Sequence, residues 1–366
     1  MSTPSANAQT TTYAGNEAEL RNAVNNATSP TTIVLTTDIQ LTNTSLNITN
    51  KDITLTSNSA NGFFKLIGAP NTDTVEVNNG SLTINALIVT HNKGEAGRGI
   101  LVSTDGTLYL TNGTISDNNA DDTGGGVFNR GKFEMSGGKI TNNTARHGGG
   151  VDTCGSFIMS GGIMANNTAN QGGAIYNGNT SILTLTGGTI TQNTAIGTAR
   201  AYGGGVYNRG IFELSNTVTI TRNTVITTQT TTGNLYAQGG GIYNTGTLTI
   251  TGGTLANNQA AHIRTTGSRY GQGGAIYNQG NLTITNANIT NNTVNMYGGG
   301  ICDHGGVVTI TNTNITNNTA GFGGGIANSH SNVTLTNTII NSNNANLGGG
   351  IQNWGGSLTL TNTIIN

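Results

Sequence analysis

The chain has 366 residues, with 57 Gly, 3 Pro, 2 Cys and one Trp, and only 8% of its residues are charged, against roughly a quarter in an ordinary globular domain. A net charge of −1 provides no basic footprint for nucleic acid, and no apolar run approaches the ~20 residues that span a bilayer. Gly, Thr and Asn are poor helix-interior residues, while scarce charge and Pro beside regular Leu, Ile and Val argue against disorder. What remains is a β-rich, extracellular repeat protein.

Residues 1–12 are polar and expected to form a disordered tail; Ser5-Ala6-Asn7-Ala8 has the look of a cleavage junction but lacks an apolar region before it. Leu20, Ala23, Val24 and Ala27 fall at helical spacing behind Asn16, an N-cap residue type. This predicts a short amphipathic helix that covers the first open coil. Strand-like runs follow at Ile33-Val34-Leu35, 39–41, 46–48 and 53–55. Residues 13–96 therefore read as a cap with irregular first coils, and residues 97–366 as regular repeats.

The repeat is carried by a Gly-rich motif. The aliphatic residue after its glycines stands at Ile100, Val127, Val151, Ile175, Val206, Ile242, Ile276, Ile301, Ile326 and Ile351. The intervals are 27, 24, 24, 31, 36, 34, 25, 25 and 25 residues, so the unit is 24–25 residues with three enlarged copies. Each unit also holds a triplet such as Leu248-Thr249-Ile250, which alternates with period two. A second aliphatic column follows it: Ile115, Ile140, Met164, Ile190, Ile220, Leu255, Ile289, Ile315, Ile340 and Ile365. Three short strands per unit suit one coil of an all-β, right-handed parallel β-helix, in which equivalent strands pair ~4.8 Å apart and like residues stack into a continuous core.

Two Asn columns fit that fold. Asn118, Asn143, Asn167, Asn193, Asn223, Asn258, Asn292, Asn318 and Asn343 sit three residues after the second aliphatic column, and Asn129, Asn177, Asn208, Asn244, Asn278, Asn328 and Asn353 follow the Gly motif, with Thr153 and Asp303 as exceptions. Stacked Asn side chains hydrogen-bond along the axis and satisfy turns. They read as structural ladders. The chain stops inside a unit at Ile364-Ile365-Asn366, which leads to the expectation of a longer parent protein with further repeats and a surface anchor.

The units Ile140-Thr141-Asn142-Asn143-Thr144-Ala145…Gly148-Gly149-Gly150-Val151 and Ala165-Asn166-Asn167-Thr168-Ala169…Gly172-Gly173-Ala174-Ile175 resemble the repeats of chlamydial polymorphic outer-membrane proteins. They are also similar to the adhesin-like, pectate-lyase-like surface proteins of anaerobic bacteria and archaea. The resemblance covers residues 97–366 and implies a surface-displayed β-helix that adheres to surface glycans or proteins of a host or neighbouring cell.

Function is expected where the repeat is enlarged. The three insertions, residues 196–202, 226–238 and 259–272, fall at one point of consecutive coils and should emerge on one edge. They carry Arg200, Tyr202, Tyr236, His262, Arg264, Arg269 and Tyr270, residue types favoured as binding anchors; the alternative is surface loops without a partner. A second candidate is Asp121, Asp122 and Asp152 with Arg146 or Arg130, an arrangement compatible with a polysaccharide lyase or hydrolase. Repeat alignment places Arg146 near Asp121 and His147 near Asp122, so cross-coil ion pairing competes with that reading. A third is the outward Thr-x-Thr array, Thr249/Thr251, Thr283/Thr285, Thr309/Thr311, Thr334/Thr336 and Thr359/Thr361, a flat uncharged face suited to ice or to self-association, although Thr is also simply a good strand residue. Cys154 and Cys302 lie several coils apart, too far to bridge. The five His form no zinc motif, and nothing calls for a metal or cofactor.

Overall fold

The computed structural model describes residues 9–28, 30–58, 62–228, 234–262 and 269–366. Every aliphatic triplet is a strand, and each strand pairs in parallel with its equivalent one repeat later, which winds the chain into a parallel β-solenoid of about 12 turns. Three parallel ladders run its length. One joins the triplets, with Phe133 opposite Phe157 and Leu248 opposite Leu282. One joins the second aliphatic column, Ile115 to Ile140 to Met164 to Ile190. The third joins the residues after the glycines, Val127 to Val151 to Ile175 to Val206 to Ile242. Period-two alternation sends these residues inward, so one continuous core fills the coils, with Phe133 and Phe157 stacked 4.5 Å apart inside it.

The Gly motif is a steric requirement. Gly203 has φ +63°, where a Cβ would lie 2.3 Å from the Val206 carbonyl oxygen, and a Cβ on Gly204 would lie 2.4 Å from the Gly240 oxygen of the next coil. The Asn-Asn doublets divide two tasks. The first Asn, such as Asn142, Asn166 or Asn291, takes the left-handed turn at φ 56–58°. The second enters the ladder: from Asn118 to Asn318, each donates both its backbone N–H and its Nδ2–H to Oδ1 of the next Asn at 2.9–3.1 Å. At the start of this ladder, which no repeat position marks, Nδ1 of buried His91 meets Oδ1 of Asn118 at 2.8 Å. In the other column Asn208, Asn244 and Asn278 hand on similar bonds, and Asp303 accepts from Asn278 at 2.8 Å.

The helix is Glu17–Asn26, with the Asn16 side chain accepting from the Glu19 N–H at 2.9 Å. It buries Leu20 and Val24 in the solenoid core. One expectation needs correction. Strand Thr10–Ala14 pairs with Thr31–Leu35, so the tail expected over 1–12 gives way to ordered solenoid by Thr10; residues 1–8 lie outside the described residues. Residues 13–96 also contribute coils to the same three ladders, for example Leu46–Ser57 on Val75–Ile84, because their spacing varies while their inward columns do not.

The insertions build one lateral fin. Their outgoing strands, Thr194–Gly197, Thr224–Thr227 and Gln259–His262, pair side by side. Their returning strands, Arg200–Tyr202, Leu235–Gln238 and Arg269–Gln272, form a second small parallel sheet. Ala195, Ala201, Val225, Ala237, Ala260, Val294 and Ala320 fill the space between the two layers. Small residues allow so thin a double wall to close. The Thr columns also keep register, Thr249 to Thr283 to Thr309 to Thr334 to Thr359, with Thr251 to Thr361 beside them.

Candidate functional site: an aromatic groove beside the fin

The residue after each aliphatic anchor of the Gly motif points outward, and register stacks these residues into a column: Tyr176, Tyr207, Tyr243, Tyr277, Cys302, Ala327 and Gln352. Four consecutive tyrosines stack with centroids 4.8–5.2 Å apart and planes within 17° of parallel. The Tyr243 hydroxyl donates to Gln279 Oε1 at 3.0 Å, and Gln279 Nε2 donates to the Tyr277 hydroxyl at 3.2 Å. Burial raises the phenol pKa values of Tyr207, Tyr243 and Tyr277, and neighbouring ring hydroxyls or the Cys302 thiol add to it.

A second column rises across the Gly turn from this floor: His147, Gln171, Tyr202, Gln238, Gln272, Tyr297, Phe322 and Leu347. The fin extends this wall outward. Arg200, Tyr236 and Tyr270 stand in register on one face of its returning sheet, Tyr236 and Tyr270 stack at 5.1 Å, and the Arg200 guanidinium lies 5.4 Å from the Tyr236 ring centre. Ala201 and Ala237 point the other way into the fin core. Floor and wall enclose a groove of about 530 Å³ bounded by Arg200, Tyr236, Tyr270, Tyr277 and Gln279 among others.

Where the floor changes from Tyr277 to Cys302 and Ala327, the lost rings leave room. A second hollow of about 410 Å³ opens there, lined by Tyr297, His304, His330 and Trp354. Trp354 is 42% exposed and meets Tyr297 edge-on at 5.2 Å. The two hollows share Gln272, Tyr297 and His304, so they form one trough along the axis.

Arg200, Tyr202, Tyr236 and Tyr270 thus come together at the trough. His262 does not: it lines a smaller hollow of about 180 Å³ with Gln259 and Val294, and its Nδ1 meets the Thr227 hydroxyl. Arg269 opens its fin strand, and Arg264 lies outside the described residues. The tyrosine floor and the Trp354 hollow were not singled out in the sequence. The floor left a signal in the repeated Ile-Tyr-Asn string; the wall left none, because insertions of unequal length hide its register.

The acidic candidates separate. Both Arg146 (3.7 Å) and His147 (3.9 Å) approach Asp122. This corrects the expected Arg146–Asp121 pairing, because the coil register sets His147 beside Thr123. Burial lowers the His147 pKa and Asp122 raises it in part. Asp152 belongs to the floor column next to Tyr176. It is 3% exposed, its Oδ1 lacks a hydrogen-bond partner, and burial pushes its pKa up to about 7 against the opposing pull of Arg98. Arg130 and Arg98 lie against the Phe128 ring at 4.7 and 5.1 Å. Among the described residues no group of three or more His, Cys, Asp or Glu is placed to hold a metal ion, and no helix is long and apolar enough to cross a membrane.

The fold and groove together define the class: a parallel β-solenoid with a lateral fin that walls an aromatic trough. No protein-family model, no curated protein and no solved structure matches the chain.

Proposed function

We propose that the protein is an extracellular recognition solenoid, an adhesin that binds a surface glycan or protein in the trough while the remaining coils act as a stiff spacer. The observation that carries this reading is the use of three consecutive insertions to wall an aromatic trough. Tolerated surface loops have no reason to share a core and a register, and these do. Tyr, Trp and Arg are the side chains that most often anchor binding, and amide and phenol groups at the rim supply orientation. The resemblance to adhesin-like β-helix repeats points the same way. The test compares the protein with a variant whose insertions are trimmed to the 25-residue repeat, on a glycan panel and on whole cells. Binding by the parent alone, with β-type circular dichroism for both, supports the reading. Equal binding by both, or by neither, overturns it.

A second reading concerns the Thr face, favoured by five coils of unbroken register in two columns. Thermal hysteresis tests it for ice, and light scattering for self-association.

A further inference from the structure

Charge is distributed unevenly along the solenoid. Residues 1–152 carry 13 carboxylates against nine Lys and Arg, whereas residues 153–366 carry two carboxylates against five Arg. Neither of those two reaches the trough. Glu213 stands on the ladder that leads into the Thr columns, and Asp303 is buried in the second Asn ladder as an acceptor for Asn278. The residues lining the two hollows include Arg200, His304 and His330 and not one carboxylate. Arg209, bonded to the Tyr176 hydroxyl at 3.0 Å, adds a cation at the end of the tyrosine floor. The trough therefore sits in the half of the molecule with excess positive charge, and nothing within it repels an anion.

Its shape sets the ligand's form. From Tyr207 to Gln352 the floor passes through five strand pairings, or ~24 Å at ~4.8 Å each. Chemical handles lie along this stretch: Arg200 over Tyr236, and five coils further on Trp354 with two imidazoles. From this we infer that the trough takes an acidic polysaccharide, carboxylated or sulfated, laid along the solenoid axis. This rests on the glycan form of the reading above and adds charge, length and direction to it. The acidic groups meet the cations, and the apolar faces of the sugar rings meet Trp354 and the Tyr236–Tyr270 pair.

The experiment titrates the full chain with oligogalacturonides of increasing length, with dextran sulfate oligomers, and with neutral malto-oligosaccharides of matched length. Acidic oligomers should bind, neutral ones at least tenfold more weakly. Affinity should rise with length until the oligomer spans the trough and then level off. Raising salt should weaken binding, since exposed charges are screened. Arg200→Gln should cost about tenfold, the scale of one favourable charge contact, while Arg222→Gln, the same charge change on an exposed turn outside the trough, should leave affinity unchanged. The carboxylated and sulfated series show which acid is preferred. Neutral oligomers that bind as well as acidic ones, without salt dependence, overturn the acidic assignment and leave the groove reading standing. Equal losses from Arg200→Gln and Arg222→Gln also overturn it, because the effect is then one of net charge. No binding by any glycan overturns the acidic assignment together with the glycan form of the reading it rests on.

Discussion

Asp152→Asn isolates the electrostatic cost of burying a carboxyl in the outward column one coil before Tyr176, outside the two hollows of the trough. The Asp152 carboxyl is held at about 7, against an ordinary 3.8, with burial as the main cause, Arg98 opposing it and Asp122 adding to it. The folded state therefore keeps its proton over a range in which the unfolded chain has lost it. Stability from this group is full below the unfolded pKa, declines as pH rises through the window between 3.8 and about 7, and stays low above it. A gap of about three pH units is worth roughly 4 kcal/mol at 1.36 kcal/mol per unit, an upper figure because relaxation around a charged buried carboxylate relieves part of it. Urea unfolding of the wild type and of Asp152→Asn, followed from pH 4 to pH 8, reads the difference directly. The variant should gain on the wild type by several kcal/mol between the two ends. Any fixed cost of the buried amide appears equally at both pH values and cancels. An offset that does not change with pH, or one that moves in favour of the wild type as pH rises, refutes the reasoning.

Asn193→Ala should cost ~3–5 kcal/mol in urea unfolding, because it takes their Asn193 partner from the Asn167 N–H, from one of the two Asn167 Nδ2–H donors and from the Met164 carbonyl in a fully buried turn. Phe157→Ala should cost ~3–5 kcal/mol by the same assay, through the cavity left against Phe133. In spectrophotometric titration to pH 11, Tyr207, Tyr243 and Tyr277 should stay protonated after the exposed phenols have ionised, since burial raises all three. Ellman's reagent should label exposed Cys154 in the native protein and reach buried Cys302, whose thiol pKa burial also raises, only on unfolding.

Much of this fold is written where a residue has one structural task repeated in each coil. Gly203 and Gly204 cannot carry a Cβ, and Asn143 or Asn167 cannot be replaced without stranding buried donors, so those columns surface in the sequence as a period. The fin surfaced as extra length, and Arg200, Tyr202, Tyr236 and Tyr270 were found with it. The trough did not surface. Its floor and wall come from two points of the coil, on either side of the Gly turn, and meet only after register is known. Tyr297 and Trp354 are far apart in sequence yet share a hollow created by Cys302 and Ala327, where the signal is two small residues in a tyrosine column. The Arg146–Asp121 pairing failed by a single position, with Arg146 meeting Asp122 instead, because repeat spacing fixes a strand to one coil but not the exact register of the turn beside it.

Trp354 is the only tryptophan in the chain and lines the trough, so its fluorescence reports on the claim that recognition occurs there. The measurement is a titration of the protein with an oligosaccharide that binds it by calorimetry, observed through tryptophan emission. A saturable change in Trp354 emission, with the midpoint found by calorimetry and moved about tenfold higher by Arg200→Gln, is the predicted result. Calorimetric binding with unchanged emission contradicts the account and places recognition elsewhere on the solenoid.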